Sequence, residues 1–158
     1  KMAGPPGVET RVRALAAAMG YALDEREWSF PIRFEELVPG DEREIGPVRA
    51  DCFEVFHQPH TEPHGLSVRF AQQRLVYSGD TGFFAGFAER GGGAHLFVCE
   101  CTYHDNDFEY HISHKDLVAR KHEFGCGRIV LTHLGDEMLA YREKAAFETA
   151  DDGLRVRL

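Results

Sequence analysis

Three apolar runs in this sequence stop on a side chain that can bind a metal ion. Val55-Phe56 runs into His57, Leu75-Val76-Tyr77 passes through Ser78-Gly79 into Asp80, and Ile129-Val130-Leu131-Thr132 runs into His133. Imidazole and carboxylate suit a borderline cation such as zinc, manganese or iron. A strand end holds such groups in fixed positions, because the sheet behind it is rigid. One such run is ordinary; three with matching chemistry point to a metal site. The chain also carries nine histidines in 158 residues, and several cluster: His57, His60 and His64 in one group, His104, His111 and His114 in another. Within the first group His60 competes with His57, and the strand-end position and the spacing to Gly65 favour His57. His64 is expected at the surface or behind a ligand. His114 is expected to be solvated. Glu100, between Cys99 and Cys101, is a candidate carboxylate for orienting a ligand.

The elements that must position these groups can be read from periodicity. Val8, Val12, Leu15 and Met19 recur at helical spacing, and Gly20 is a natural stop. Phe30, Ile32 and Phe34 alternate, which predicts a strand ending at Pro39-Gly40. The run 48–57 predicts a second strand, ending on His57. Residues 65–80 predict a hairpin with Gln72-Gln73 at its tip and a second arm that leads to Asp80. A short buried strand is expected at 94–102. Ser113 with Asp116 three residues on predicts a capped helix through Leu117, Lys121 and Phe124. A strand at 128–133 and a helix over 135–148 follow, with Met138 and Leu139 packing that helix on the core. Residues 154–158 are expected to add an edge strand. Interleaved strands and helices indicate an α/β layered domain spanning 1–158.

Composition narrows the function classes. The chain is 43% hydrophobic and 28% charged, as in soluble globular proteins. No apolar run approaches the ~20 residues of a bilayer span, and no signal peptide is visible, so a cytoplasmic location is expected. The net charge of −8, with scattered Lys and Arg, argues against extensive nucleic-acid binding but allows a small phosphorylated substrate held by a metal. Cys52, Cys99, Cys101 and Cys126 form no Cys-x-x-Cys pair and are expected to be buried free thiols of a reducing compartment.

The stretches "YSGDTG", "LFVCEC", "YHISHKDL" and "RIVLTHLGDEML" together resemble the C-terminal half of a metallo-β-lactamase-fold hydrolase, of the ribonuclease Z-like and phosphodiesterase-like branch. The resemblance runs from about Gly4 to Met138. It implies an αββα sandwich of which this chain supplies the second half, one mixed sheet with helices on its outer face. It implies that Asp80 bridges two metal ions, zinc first with manganese or iron possible, and that His57 and His133 are further metal ligands. It implies that His111, which opens a His-Ile-Ser motif before a helix, is a catalytic residue that assists the departing group. The implied activity is metal-dependent hydrolysis of a phosphodiester or another small ester-like substrate, with Asp80 and His111 as the catalytic residues.

The family's His-x-His-x-Asp-His signature is absent from these 158 residues. Half a site is therefore expected. The start at Lys1, close to helix-like sequence, favours upstream residues that are not in this chain; a complementing N-terminal half, a homodimer or an inactive half are the other routes. Two further readings stand beside the hydrolase. One is a binding or scaffold module that has lost a ligand set. The other is a two-iron oxidoreductase on the same fold, which would call for a flavin-binding partner domain.

Overall fold

A computed structural model describes residues 1–24 and 27–158. Its scaffold is a seven-stranded mixed sheet, in spatial order β3 (Arg43–Ile45), β4 (Val48–Glu54), β5 (His64–Phe70), β6 (Gln73–Tyr77), β7 (Leu96–Glu100), β8 (Ile129–Thr132) and β9 (Glu148–Thr149). Strands β3 to β6 pair antiparallel, and β6 to β9 pair parallel. The parallel strands are joined through α2 (Phe87–Arg90), α3 (His114–Ala119) and α4 (Asp136–Tyr141). A separate parallel pair, β1 (Met2–Gly4) with β2 (Phe34–Glu36), flanks α1 (Val8–Ala18).

Strand direction gathers the site. Two antiparallel steps, β4 to β5 and β5 to β6, leave β4 running the same way as β6, and β7 and β8 follow in parallel. The carboxyl ends of β4, β6, β7 and β8 therefore emerge at one edge of the sheet. His57, Asp80, Glu100 and His133 are the residues that stand at or just beyond those four ends.

Strand β7 is nearly continuous apolar sequence because both of its faces are covered: Leu96, Phe97, Cys99 and Glu100 are all buried. One core cluster joins Val76, Phe87, Phe97, Cys99, Leu117, Leu131 and Met138 beneath the crossover helices. A smaller one, Leu37, Ala50 and Cys52, lies under the β1–β2 pair. Cys52, Cys99 and Cys101 are buried thiols and Cys126 is half-buried. Burial, reinforced by the Glu100 carboxylate, pushes the Cys101 thiol up to about 12, which keeps it unreactive.

Several expectations are corrected. The run 30–36 yields only the three-residue β2, because Pro31 cannot donate to a ladder and Phe30 lies exposed. The hairpin tip is Ala71-Gln72, with Phe70 opposite Gln73. The edge strand is Glu148–Thr149, and residues 154–158 form none. Met138 is fully buried, but Leu139 faces outward. Helix α1 forms as expected, yet none of its residues is buried, and Leu15 is 64% exposed.

His114 is corrected too. It is buried at the start of α3, and its Nε2 accepts a hydrogen bond from the Ala146 N–H at 3.0 Å. Its ring lies against Tyr141 and Phe147, so it ties α3 to the segment that follows α4. Burial, aided by neighbouring His104, pushes this imidazole down from its ordinary value. An unfolded histidine takes up a proton near about pH 6.5. Below that point the unfolded chain binds the extra proton while folded His114 resists it, so stability falls as pH falls. Urea midpoints measured between roughly pH 8 and pH 5 should drop on the acid side, and His114→Gln should flatten that slope. Parallel profiles for the two proteins would show that His114 does not carry the effect.

Candidate metal centre

The Ser78-Gly79-Asp80-Thr81 turn shows how one carboxylate comes to be presented. Ser78 is buried, and its hydroxyl accepts the Glu100 N–H at 2.8 Å and donates to the Gly79 carbonyl at 2.7 Å. Gly79 has φ +65, and a Cβ there would stand 2.6 Å from the His64 carbonyl oxygen, so both backbone and space require glycine. Thr81 is buried, and its N–H donates to Glu100 Oε1 at 2.7 Å. The Thr81 hydroxyl also accepts the Phe56 N–H at 3.0 Å, while the Gly82 N–H donates to the Phe56 carbonyl at 2.7 Å. The turn is thus clamped to the ends of β7 and β4, and Asp80 alone among the four is left pointing outward.

Glu100 is fully buried and surrounded by donors. Oε1 accepts from the Thr81 N–H and from His111 Nδ1 at 2.9 Å. Oε2 accepts from the Thr102 N–H at 3.3 Å, the Thr102 hydroxyl at 3.2 Å and the Ile112 N–H at 3.2 Å. Burial pushes this carboxyl up from its ordinary value, and the Thr81 N–H and His111 contacts oppose that.

That network limits where the hydrogens around Thr102 can sit. Its hydroxyl lies 2.8 Å from His133 Nδ1 and has only one hydrogen. Two arrangements fit: either His133 Nδ1–H donates to Thr102, whose own hydrogen goes to Glu100 Oε2 or to the His133 carbonyl, both at 3.2 Å, or Thr102 donates to His133 Nδ1 and the ring hydrogen sits on Nε2. In both, His111 donates Nδ1–H to Glu100. In the first arrangement both imidazoles carry a bare Nε2. Their rings stack, with centroids 5.2 Å apart and planes 15° from parallel. His57 meets His111 edge-on at 5.1 Å.

His133 Nε2 stands 3.5 Å from Asp80 Oδ2. In the first arrangement two acceptors stand face to face, a contact that a cation between them would stabilise; in the second, Nε2–H faces the carboxylate. The donors fit such an ion: two kinds of atom, nitrogen and carboxylate oxygen, on rigid strand ends. Glu100, His111 and His133 also offer ligand atoms within 4.8 Å of one another. Glu100, however, already uses both oxygens, so its place in this group is to aim the histidines rather than to ligate. His57 and Asp80 line one cleft of about 390 Å³, with Thr61, Pro63, His64 and Tyr77. His60 lies exposed on the neighbouring turn and does not line it. The backbone at His133 is left-handed, φ +55, which a non-glycine residue adopts only where its surroundings hold it there.

A model of the beta-lactamase superfamily domain matches residues 4–134. The chain belongs to the beta-lactamase superfamily. Its fold is the metallo-β-lactamase fold. Zinc-bound PqqB from Methylobacterium extorquens is similar at 16% identity, with a TM-score of 0.72 over 99% of this chain and 61% of that one. Human tRNase Z, short form, is similar at 17% identity, with a TM-score of 0.70 over 98% and 66%. The metallo-β-lactamase fold protein YhfI from Bacillus subtilis is similar at 17% identity, with a TM-score of 0.69 over 96% and 62%. This superfamily member thus spans less than two thirds of the length of the solved structures it matches. No curated protein matches it in sequence.

The hub role of Glu100 was only faintly legible, as a carboxylate at a strand end; Thr102 gave no signal, because an ordinary threonine earns its importance from what surrounds it. Glu100→Gln keeps the shape but turns an NH2 group toward backbone and side-chain donors. Leaving buried partners unsatisfied costs about 1–3 kcal/mol. Urea denaturation of this variant should show a loss of that order; unchanged stability would mean that the network tolerates a neutral acceptor and that the hub is weaker than its geometry.

Proposed function

We propose that this chain forms part of a two-metal hydrolase acting on a phosphodiester or related small ester. The observation that carries the reading is the pair Asp80 Oδ2 and His133 Nε2, an imidazole nitrogen and a carboxylate oxygen 3.5 Å apart just beyond the ends of β6 and β8. His57, Asp80 and His133 would hold the metal, with zinc first and manganese or iron as alternatives, and Asp80 would be the ligand shared by the two ions. When bound, such ions supply Lewis acidity toward the scissile group and activate water. Three donors fall short of the four that a closed zinc site wants. The rest would come from a complementing N-terminal half or from a second copy of this chain. The chain's similarity to a tRNase supports a phosphodiester substrate class, and its charge of −8 favours a small one.

The chain's own groups then divide the work. His111 presents Nε2 at the site edge while Glu100 retains its Nδ1 hydrogen. We assign His111 the role of general acid toward the departing oxygen. Tyr77 lines the cleft, and burial, then the nearby Asp80 and Glu100 charges, push its phenol up, which keeps it a hydrogen-bond donor.

Two measurements test this. Elemental analysis of this chain alone should find weak, sub-stoichiometric zinc, and Asp80→Asn should abolish what is bound; two tightly held ions in the chain alone would contradict the shared site. In the complemented protein, His111→Ala should keep its metal but lose roughly 10²–10⁴-fold in turnover of esters with poor leaving groups. The loss should shrink for nitrophenyl esters, whose leaving group needs no proton. Loss of metal in that variant would make His111 a ligand, and metal binding without any ester turnover would leave a binding module.

A further inference from the structure

Beside the histidines lies a second group of rings that the hydrolysis itself does not use. Phe56 and Phe108 are 46% and 44% exposed, although the core phenylalanines Phe87 and Phe97 are fully buried. Tyr110 joins them, with ring centroids 5.6 Å from Phe56 and 5.8 Å from Phe108. The three rings form one patch that touches the candidate site at two points. Tyr110 lies 5.9 Å from the His57 ring, and Phe108 lies near-parallel to His111 at 5.9 Å, with planes 19° apart.

The patch is held firmly. The His111 N–H donates to the Phe108 carbonyl at 3.2 Å, so Phe108 and His111 share one tight turn. A Cβ at Gly82 would fall 1.8 Å from the Glu109 carbonyl oxygen, which shows how closely the loop between Phe108 and Tyr110 is seated on the Asp80 turn. Phe56 is fixed through both backbone contacts with Thr81 and Gly82. Other apolar side chains are as exposed, but these rings stand against His57 and His111, where a molecule bound at the candidate site would cover them.

We propose that Phe56, Phe108 and Tyr110 form a platform on which a planar aromatic ring of the substrate stacks, next to the bond that is cleaved. The proposal rests on the hydrolase reading of the adjoining site. It assigns the substrate class as a phosphoester that carries a ring close to the phosphate, either a nucleobase or a plain aryl group. Aromatic faces accept any such ring, through offset or edge contacts. Stacking on a protein ring strengthens binding by roughly five- to a hundredfold per base.

The test compares ligands on the zinc-supplemented full chain by calorimetry and by NMR shifts: adenosine 5′-monophosphate, phenyl phosphate, ribose 5-phosphate and adenosine. The two ring-bearing phosphates should bind about five- to a hundredfold more tightly than ribose 5-phosphate. Phe108→Leu, an exposed change that preserves apolar bulk, should remove most of that gap and leave ribose 5-phosphate binding unchanged. Phe56→Leu should do so in part. Whichever ring binds more tightly names the class, nucleobase or aryl. Equal binding of all three phosphates would overturn the platform while leaving phosphate recognition intact. Adenosine that binds in a Phe108-dependent way, with no preference for any phosphate, would keep the platform and overturn the hydrolase reading. Adenosine binding that Phe108→Leu does not weaken, or no binding of any ligand, would overturn the platform.

Discussion

The site depends on one buried carboxylate. Glu100 has no contact with water, and five donors converge on its two oxygens. The donors come from three parts of the site: Thr81 from the Asp80 turn, Ile112 and His111 from the loop before α3, and Thr102, which donates through both its N–H and its hydroxyl, from the link with His133. A buried polar group is costly unless it is fully satisfied. Here the requirement works as a constraint on geometry, because every element at this edge must be in register before the carboxylate is satisfied. Aiming the Nδ1 side of an imidazole with a carboxylate is a recurrent way to fix a metal-facing nitrogen.

The sheet makes that convergence possible. Side chains separated by up to 76 residues in sequence, from His57 to His133, meet because β4, β6, β7 and β8 run in one direction. The crossover helices stabilise the arrangement from one side through Phe87, Leu117 and Met138. The other side is more thinly covered by β1, β2 and α1, whose apolar residues remain largely open. The rigid half of the molecule is therefore the half that carries the candidate site.

Much of this was legible in the sequence, and for identifiable reasons. Strands that are buried on both faces leave unbroken apolar runs, so 75–77, 94–102 and 129–132 stood out, the second of which forms a strand over Leu96–Glu100. The Ser113–Asp116 cap was legible because capping is local; the Ser113 hydroxyl does accept the Asp116 N–H. His114 misled because helical position says nothing about what packs above it, and here Tyr141 and Phe147 arrive from far along the chain. The strand expected from Phe30 to the Pro39-Gly40 turn shrank to Phe34–Glu36, because alternation describes a pleat but does not supply a neighbour to pair with. Glu100 and Thr102 were hard to weigh for the same cause: a hub is defined by long-range hydrogen bonds, and no local pattern encodes them.

The left-handed backbone at His133 carries a consequence for sequence drift. Asparagine or glycine would relieve that conformation, and neither could replace the imidazole. Stability and the proposed metal role thus pull in opposite directions at a single position. A descendant freed from selection for chemistry should lose this histidine early and gain robustness by doing so, whereas Leu131 and Val130 just before it would persist as packing residues. Position 133 would then record whether a lineage keeps the proposed metal site.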